Sequence, residues 1–321
     1  MTDRSEVTTG QVARRRTWIW ITVVLILAAA LAAVPPLGGS ISFSFNLMVW
    51  IALATGLNII AGFTGYMPLG YVAFYGIGAF TTAALTAKAG WLVYFALPMA
   101  GVGGVALSLI LSPTLRLRGI YFAIVSLALA IIVRLIVSNL PQSVTGGSFG
   151  LNLGAESEPV AAFYVMLVLM VAAVGTATWL AQSRLGKALR AVRDDPEAAA
   201  TLGVNTQAAR LKAWVLSALI ASLVGGVEAW YTNIVDPNTA FEFLITAKTV
   251  IYAIAGGLGT VAGPVAGAIV MVFVDDLIWQ QFPVLNVFLL GLIIMLLVLF
   301  LPRGLVGTLI HLRPRLRRYI M

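Results

Sequence analysis

The chain has 321 residues, of which 60% are hydrophobic and 10% charged, with a mean hydropathy of +1.00; that is too little polar surface to clothe a soluble domain. It contains no cysteine and one histidine, His311 among C-terminal arginines, which excludes disulfides and thiolate metal sites and argues against metal chemistry. The net charge of +8 comes from basic residues spaced between apolar blocks, a pattern of cytoplasmic anchors against anionic lipid rather than a nucleic-acid surface.

Arg14, Arg15 and Arg16 precede an apolar run from Trp18 to Val34. It is long enough to span a bilayer, and VPPLGG after it offers a turn rather than a cleavage site, so it reads as a retained first span. Further apolar stretches cover roughly 43–61, 67–87, 91–112, 119–138, 160–180, 213–230, 244–255, 261–278 and 285–301. Two boundaries rest only on uncharged glycine breaks, GFTG at 62–65 and GGLG at 256–259. Counting both as crossings keeps Arg116, Arg118, the 181–212 loop and the C-terminal arginines on the side of the N-terminus; merging either pair of stretches exports a basic cluster. The expected fold is therefore an all-α integral membrane protein of about ten transmembrane helices, some broken by Gly/Pro, with both termini cytoplasmic. Its parts are a basic tail at 1–17, a membrane domain at 18–301 with a cytoplasmic loop at 181–212, and a basic tail at 302–321.

Within the polar loop the sequence writes out one short helix. Asp195 is a favoured N-cap, Pro196 fits the first helical position, Glu197 puts negative charge near the helix N-terminus, and Gly203 can end the helix in the left-handed conformation. A helix of about seven residues is unstable alone in water. Ala198, Ala199, Ala200 and Leu202 give it a slim surface, suited either to lying on the headgroups or the chain itself, or to entering a groove in a cytoplasmic partner.

The chain resembles the LivM-type permeases of ABC importers for branched-chain amino acids, whose close relatives include urea and amide importer permeases. The resemblance runs from about Val49 to Gly304 and is carried by an ordered set: GLNIIAGFTG (56–65), LGYVAFYGIGAF (69–80), LRLRGIYFAIVSL (115–127), TGG (145–147), RLGKALRAVRDDPEAAATLGVN (184–205), GGLGTVAGPVAGA (256–268) and LPRGL (301–305). It implies that Asp195, Pro196, Glu197, Ala198, Ala199, Leu202 and Gly203 form an EAA-like coupling helix that docks into an ATPase cleft. It further implies a heterodimer with a homologous second permease, two ATP-binding cassette ATPase subunits holding ATP and Mg, an extracytoplasmic substrate-binding protein, and a place in the bacterial inner membrane. The chain carries no GxxxxGK[ST] loop, so it is expected to be a transport subunit and no enzyme.

The glycine breaks point to a translocation pathway, for which Asn58, Gly62, Thr64, Gly65, Pro68, Gly256, Gly257 and Gly259 are the candidates. Close helix packing through small residues, or a helix-to-helix bond from Asn58, explains the same residues. Arg134 and Glu228, near the outer ends of their spans, read as snorkelling side chains, as a pair, or as flanks of an outer access site. Family members commonly carry an acidic residue three positions before the arginine; here Ile131 stands there, and Phe149 stands where Asp or Asn is usual. Thr145, Gly146 and Gly147 fall on the loop expected to meet the binding protein. Glu156, Glu158, Asp236, Glu242, Asp275 and Asp276 make that face acidic, which calls for a basic partner surface.

Related permeases carry branched-chain amino acids, urea and short amides, or small organic acids, and these substrates stay open at this point. An ion-coupled secondary transporter or channel needs titratable groups at mid-membrane. Glu228, Asp275 and Asp276 instead cluster toward outer ends. No paired-acid or histidine-rich constellation suggests an intramembrane enzyme.

Overall fold

The computed structural model describes residues 22, 24–154 and 158–281, together with 285, 288, 289, 291, 292, 295, 304 and 305. The tails, Glu156, His311, most of the expected last span and the start of the first lie outside these. Residues 24–32 are helical and 33–38 form a turn over VPPLGG. The ordered elements that follow are α1 (Ile41–Thr64), α2 (Val72–Ala87), α3 (Val93–Ile110), α4 (Ile120–Asn139), α5 (Pro159–Gln182), α6 (Arg184–Asp194), α7 (Pro196–Thr201), α8 (Thr206–Thr232), α9 (Phe243–Gly256) and α10 (Ala262–Gln281). Seven of the described helices are long and apolar enough to cross a membrane, and α2 is a shorter apolar helix. The protein is a multi-pass membrane protein. The expected span at 67–87 starts late because Gly65 is left-handed and residues 65–71 leave the helix before α2 begins.

Helix starts follow local chemistry. Ser40 accepts from Phe43 N–H, Ser183 from Gly186 N–H and Asn205 from Ala208 N–H, opening α1, α6 and α8. The interior is built around α1, which is 94% buried over its most apolar stretch and packs against α5, α8, α9 and α10. A second contact group joins α2, α3 and α8. It is tight because its crossings are glycines: a Cβ on Gly78 would overlap the Ser222 carbonyl, and one on Gly225 the Tyr75 carbonyl. In a membrane, helices gain little by excluding lipid from one another, so such close backbone contact is what holds them. α4 is only 33% buried and shows Ile124, Ile132, Leu135 and Ile136 outward.

The two ends of the bundle differ in chemistry. At one end Leu151–Asn152 pairs antiparallel with Ile234–Val235, tying the loop before α5 to the loop after α8. At the other, Arg118 meets Glu197 at 3.3 Å and Arg193 reaches the end of α1. The basic segments 116–118 and 184–212 are thus gathered at one end, and the loops bearing Glu158, Asp236 and Glu242 at the other, as the charge pattern requires.

Candidate functional site

The short helix α7 is built almost wholly by its own caps. Asp195 accepts from the N–H groups of Glu197 (2.8 Å) and Ala198 (3.0 Å), and backbone bonds from Ala198 first, then Glu197, hold its carboxyl below the usual carboxylate range. Pro196 takes the first helical position, and the other end closes in a Schellman motif: Val204 N–H donates to Ala199 O (3.1 Å) and Gly203 N–H to Ala200 O (3.0 Å). Gly203 has φ +82, and a side chain there would meet nothing within 4 Å, so its backbone conformation and not space requires glycine. Ala199 is 2% exposed against the chain, whereas Leu202 is 82% exposed. Glu197 meets Arg118, a solvated pair of little energetic weight.

Arg193, two residues before the cap of this helix, reaches both glycine breaks, about two hundred positions apart in sequence. Asn58, fully buried in α1, donates Nδ2–H to Thr260 O (2.8 Å) and accepts at Oδ1 from Gly259 N–H (2.8 Å). Gly62 lies one turn on, where a Cβ would collide with the Asn58 amide and with Gly259 N. Gly259, at φ +84, is itself in the left-handed region and sits against the guanidinium of Arg193. Arg193, in the last turn of α6, donates through Nη1 to Gly62 O, and its stem passes Gly65. A helix end, an interhelical loop and the segment leading into α7 therefore meet at one polar junction. Thr64 turns back onto its own helix, donating to Ile60 O (2.6 Å) and accepting from Tyr66 N–H (3.3 Å). Pro68 is buried, Gly257 has φ 116, and Gly256 abuts the Gly263 carbonyl where α9 meets α10.

At the opposite end the TGG loop is a folded unit. Thr145 Oγ1 donates to Val137 O (3.0 Å) and accepts from Gly147 N–H (3.4 Å), Gly146 and Gly147 have positive φ, and Phe149 stands 83% exposed beyond them. Arg134 and Glu228 are not brought together: Glu228 faces the Tyr75 hydroxyl. Among the described residues the ion pairs are Arg118–Glu197 and Lys248–Asp275. Of the acidic residues expected at that end, one is turned onto a cation and two accept bonds from neutral groups. Asp275 is turned inward onto Lys248, Asp236 caps the turn Pro237–Ala240, and Glu158 accepts from the Tyr94 hydroxyl at 3.3 Å.

Three arrangements are not legible in the sequence. Arg193 is there one basic residue among several in the 181–212 loop. Lys248 and Asp275 form a 2.7 Å pair between α9 and α10, with side chains 17% and 16% exposed, with Trp50 5.9 Å from the ammonium and Tyr252 beside the carboxylate. Arg210 is buried over the ring of Tyr66, 4.7 Å from its centroid. Isolated charges in apolar stretches at 248 and 275 were the available signal for the second; nothing in spacing signals the third.

The family described as branched-chain amino acid transport system / permease component matches residues 40–299. The high-affinity branched-chain amino acid transport system permease protein LivM of Escherichia coli K12 is 29% identical over 331 residues, covering 93% of this chain and 76% of its own length. The protein of the same name from Salmonella typhimurium is 29% identical over 311 residues, covering 87% and 72%. The corresponding permease protein LivH of Escherichia coli K12 is 26% identical over a shorter 107 residues, 33% of this chain and 34% of its own. No solved structure matches the chain.

Proposed function

The chain belongs to the branched-chain amino acid transport system permease family, and we propose that it is one of two homologous permease subunits of an ATP-binding cassette importer for branched-chain amino acids. In this reading it forms half of the translocation pathway in the inner membrane. Two ATPase subunits bind ATP and Mg, and an extracytoplasmic binding protein delivers substrate. The partial match to LivH alongside the longer match to LivM supports a second, related permease as partner.

The observation that carries the coupling part is the shape of α7. Ala199 anchors one side of the helix while Leu202 stands 82% exposed, with nothing among the described residues to cover it. A rigid, doubly capped peg seated in an ATPase cleft transmits closure of the ATPase dimer, which a loose loop would absorb. Asn58 and Arg193 then connect that peg to the ends of α1, α9 and α10.

The test is co-purification of the full chain with its ATPase subunits, followed by leucine-stimulated ATP hydrolysis in the presence of the binding protein. Leu202→Glu is expected to leave the chain's thermal unfolding unchanged, since the side chain is 82% exposed, and to reduce ATPase recovery by roughly tenfold. Undiminished assembly and stimulation with Leu202→Glu would remove α7 from the interface.

A further inference from the structure

Charged side chains buried away from water are ordinarily paired, because an uncompensated guanidinium loses its hydration without recovering it. Arg210, in the second turn of α8, departs from that rule. It is 8% exposed, its Nε–H is buried without a hydrogen-bond partner, and no carboxylate among the described residues pairs with it. The guanidinium lies over the ring of Tyr66, 4.7 Å from the centroid. That cation–π contact recovers only part of the lost hydration. Tyr66 is 9% exposed, and its hydroxyl is also buried and unpartnered. Its ring is held from another side by Phe122, edge-on at 5.1 Å, so the pair is fixed rather than adaptable.

Two unsatisfied donors on two touching side chains are a standing demand for an anionic acceptor. The free Nε–H is one prong of the side-on fork by which arginine takes a carboxylate through two parallel bonds. Both residues sit beside the first glycine break, Tyr66 directly after Gly65, at the end of the bundle that carries α6 and α7. Because each is more than nine-tenths covered, the surface of a folded partner does not reach the fork, and a small carboxylate reaches it when the surrounding helices move apart. Resting on the reading of this chain as an amino acid permease, we propose that Arg210 and Tyr66 form a recessed carboxylate-binding site at the α7 end of the bundle, which takes the α-carboxylate of the transported amino acid. An importer gains from such a contact being confined to the carboxylate: it orients the leaving end of the zwitterion without holding the rest of it.

The proposal makes an unusual statement about stability. An arginine kept for structure loses stability when replaced, but one kept for a ligand burdens the empty protein. The full chain in lipid nanodiscs is therefore melted alone and with sodium acetate, L-leucine, leucinamide or sodium phosphate, with sodium chloride matching ionic strength. Acetate and leucine are expected to raise Tm by about 2–4 °C at concentrations well above Kd, and leucinamide, which lacks the carboxylate, is not. Arg210→Met is expected to melt at or above wild type and to lose the acetate response; Arg210→Lys, which keeps the charge but not the fork, is expected to keep a weaker one. Tyr66→Phe, which keeps the ring and removes only the hydroxyl, is expected to weaken it too.

A response to acetate but not leucine would uphold the carboxylate site and count against amino acids as cargo. A response to phosphate with none to acetate would overturn the carboxylate assignment. So would the absence of any response, or an Arg210→Met chain that melts below wild type and still responds to acetate.

Discussion

Replacing Asn58 with leucine removes the α1 side chain that hydrogen-bonds the loop between α9 and α10. The two residues are close in size, so little cavity is left and the loss is one of hydrogen bonding. Gly259 N–H and Thr260 C=O each lose a 2.8 Å partner. A buried group left unsatisfied costs about 1–3 kcal/mol, and since both residues are only partly covered the lower half of that range applies, about 1–1.5 kcal/mol each. The leucine offsets about 1 kcal/mol of this by burying apolar in place of amide surface. The net loss is about 1–2 kcal/mol, which at roughly 2 °C per kcal/mol for a chain of this size lowers Tm by about 2–4 °C. The eight tryptophans give the unfolding signal directly in detergent. Asn58→Asp, which still accepts from Gly259 but presents a second acceptor to the Thr260 carbonyl, is expected to be no better. Gly62→Ala, whose methyl group would displace the Asn58 amide, is expected to reproduce the loss. An Asn58→Leu chain that melts with wild type would show that the junction carries no energy, and with it would go the idea that α7 is mechanically tied to both breaks.

Lys248→Met is expected to be destabilising by about 3 kcal/mol, because the largely buried Asp275 carboxylate, beside Tyr252, loses the ammonium that stands 2.7 Å away. Asp275→Leu is expected to cost less in the Lys248→Met background than in the wild-type chain in the same thermal assay, and additive losses would refute the coupling. At Asp195 the folded-state pKa is depressed, so its cap is intact above the ordinary carboxylate pKa and weakens only as pH falls through the lower, folded value. Hydrogen exchange of the peptide covering 195–203 is therefore expected to show wild-type protection that persists at neutral pH and is lost only in strong acid. Asp195→Asn is expected to keep protection without that acid dependence, while Asp195→Ala loses it several-fold at every pH; protection in the alanine variant equal to wild type would refute the cap.

How much of this was legible beforehand depends on the range of the interaction. Sequence by itself determined the membrane class, since hydropathy is a sum over residues, and it determined α7, since Asp195, Pro196 and Gly203 act within a few positions of one another. It also determined which loops share an end of the bundle, because the distribution of basic residues is read along the chain. Tertiary structure alone decided that Asn58 holds residues 201 and 202 positions away, that Lys248 turns to Asp275, that Glu228 meets Tyr75 rather than Arg134, and that Arg210 lies unpaired over Tyr66. The reason is physical. In a soluble helix the polar face marks the outside, but a span in lipid is apolar on all sides, and its sequence does not say which face meets which neighbour. The rare polar side chain announces that it needs a partner; only the packing of the helices chooses one, or, at Arg210, leaves the place open.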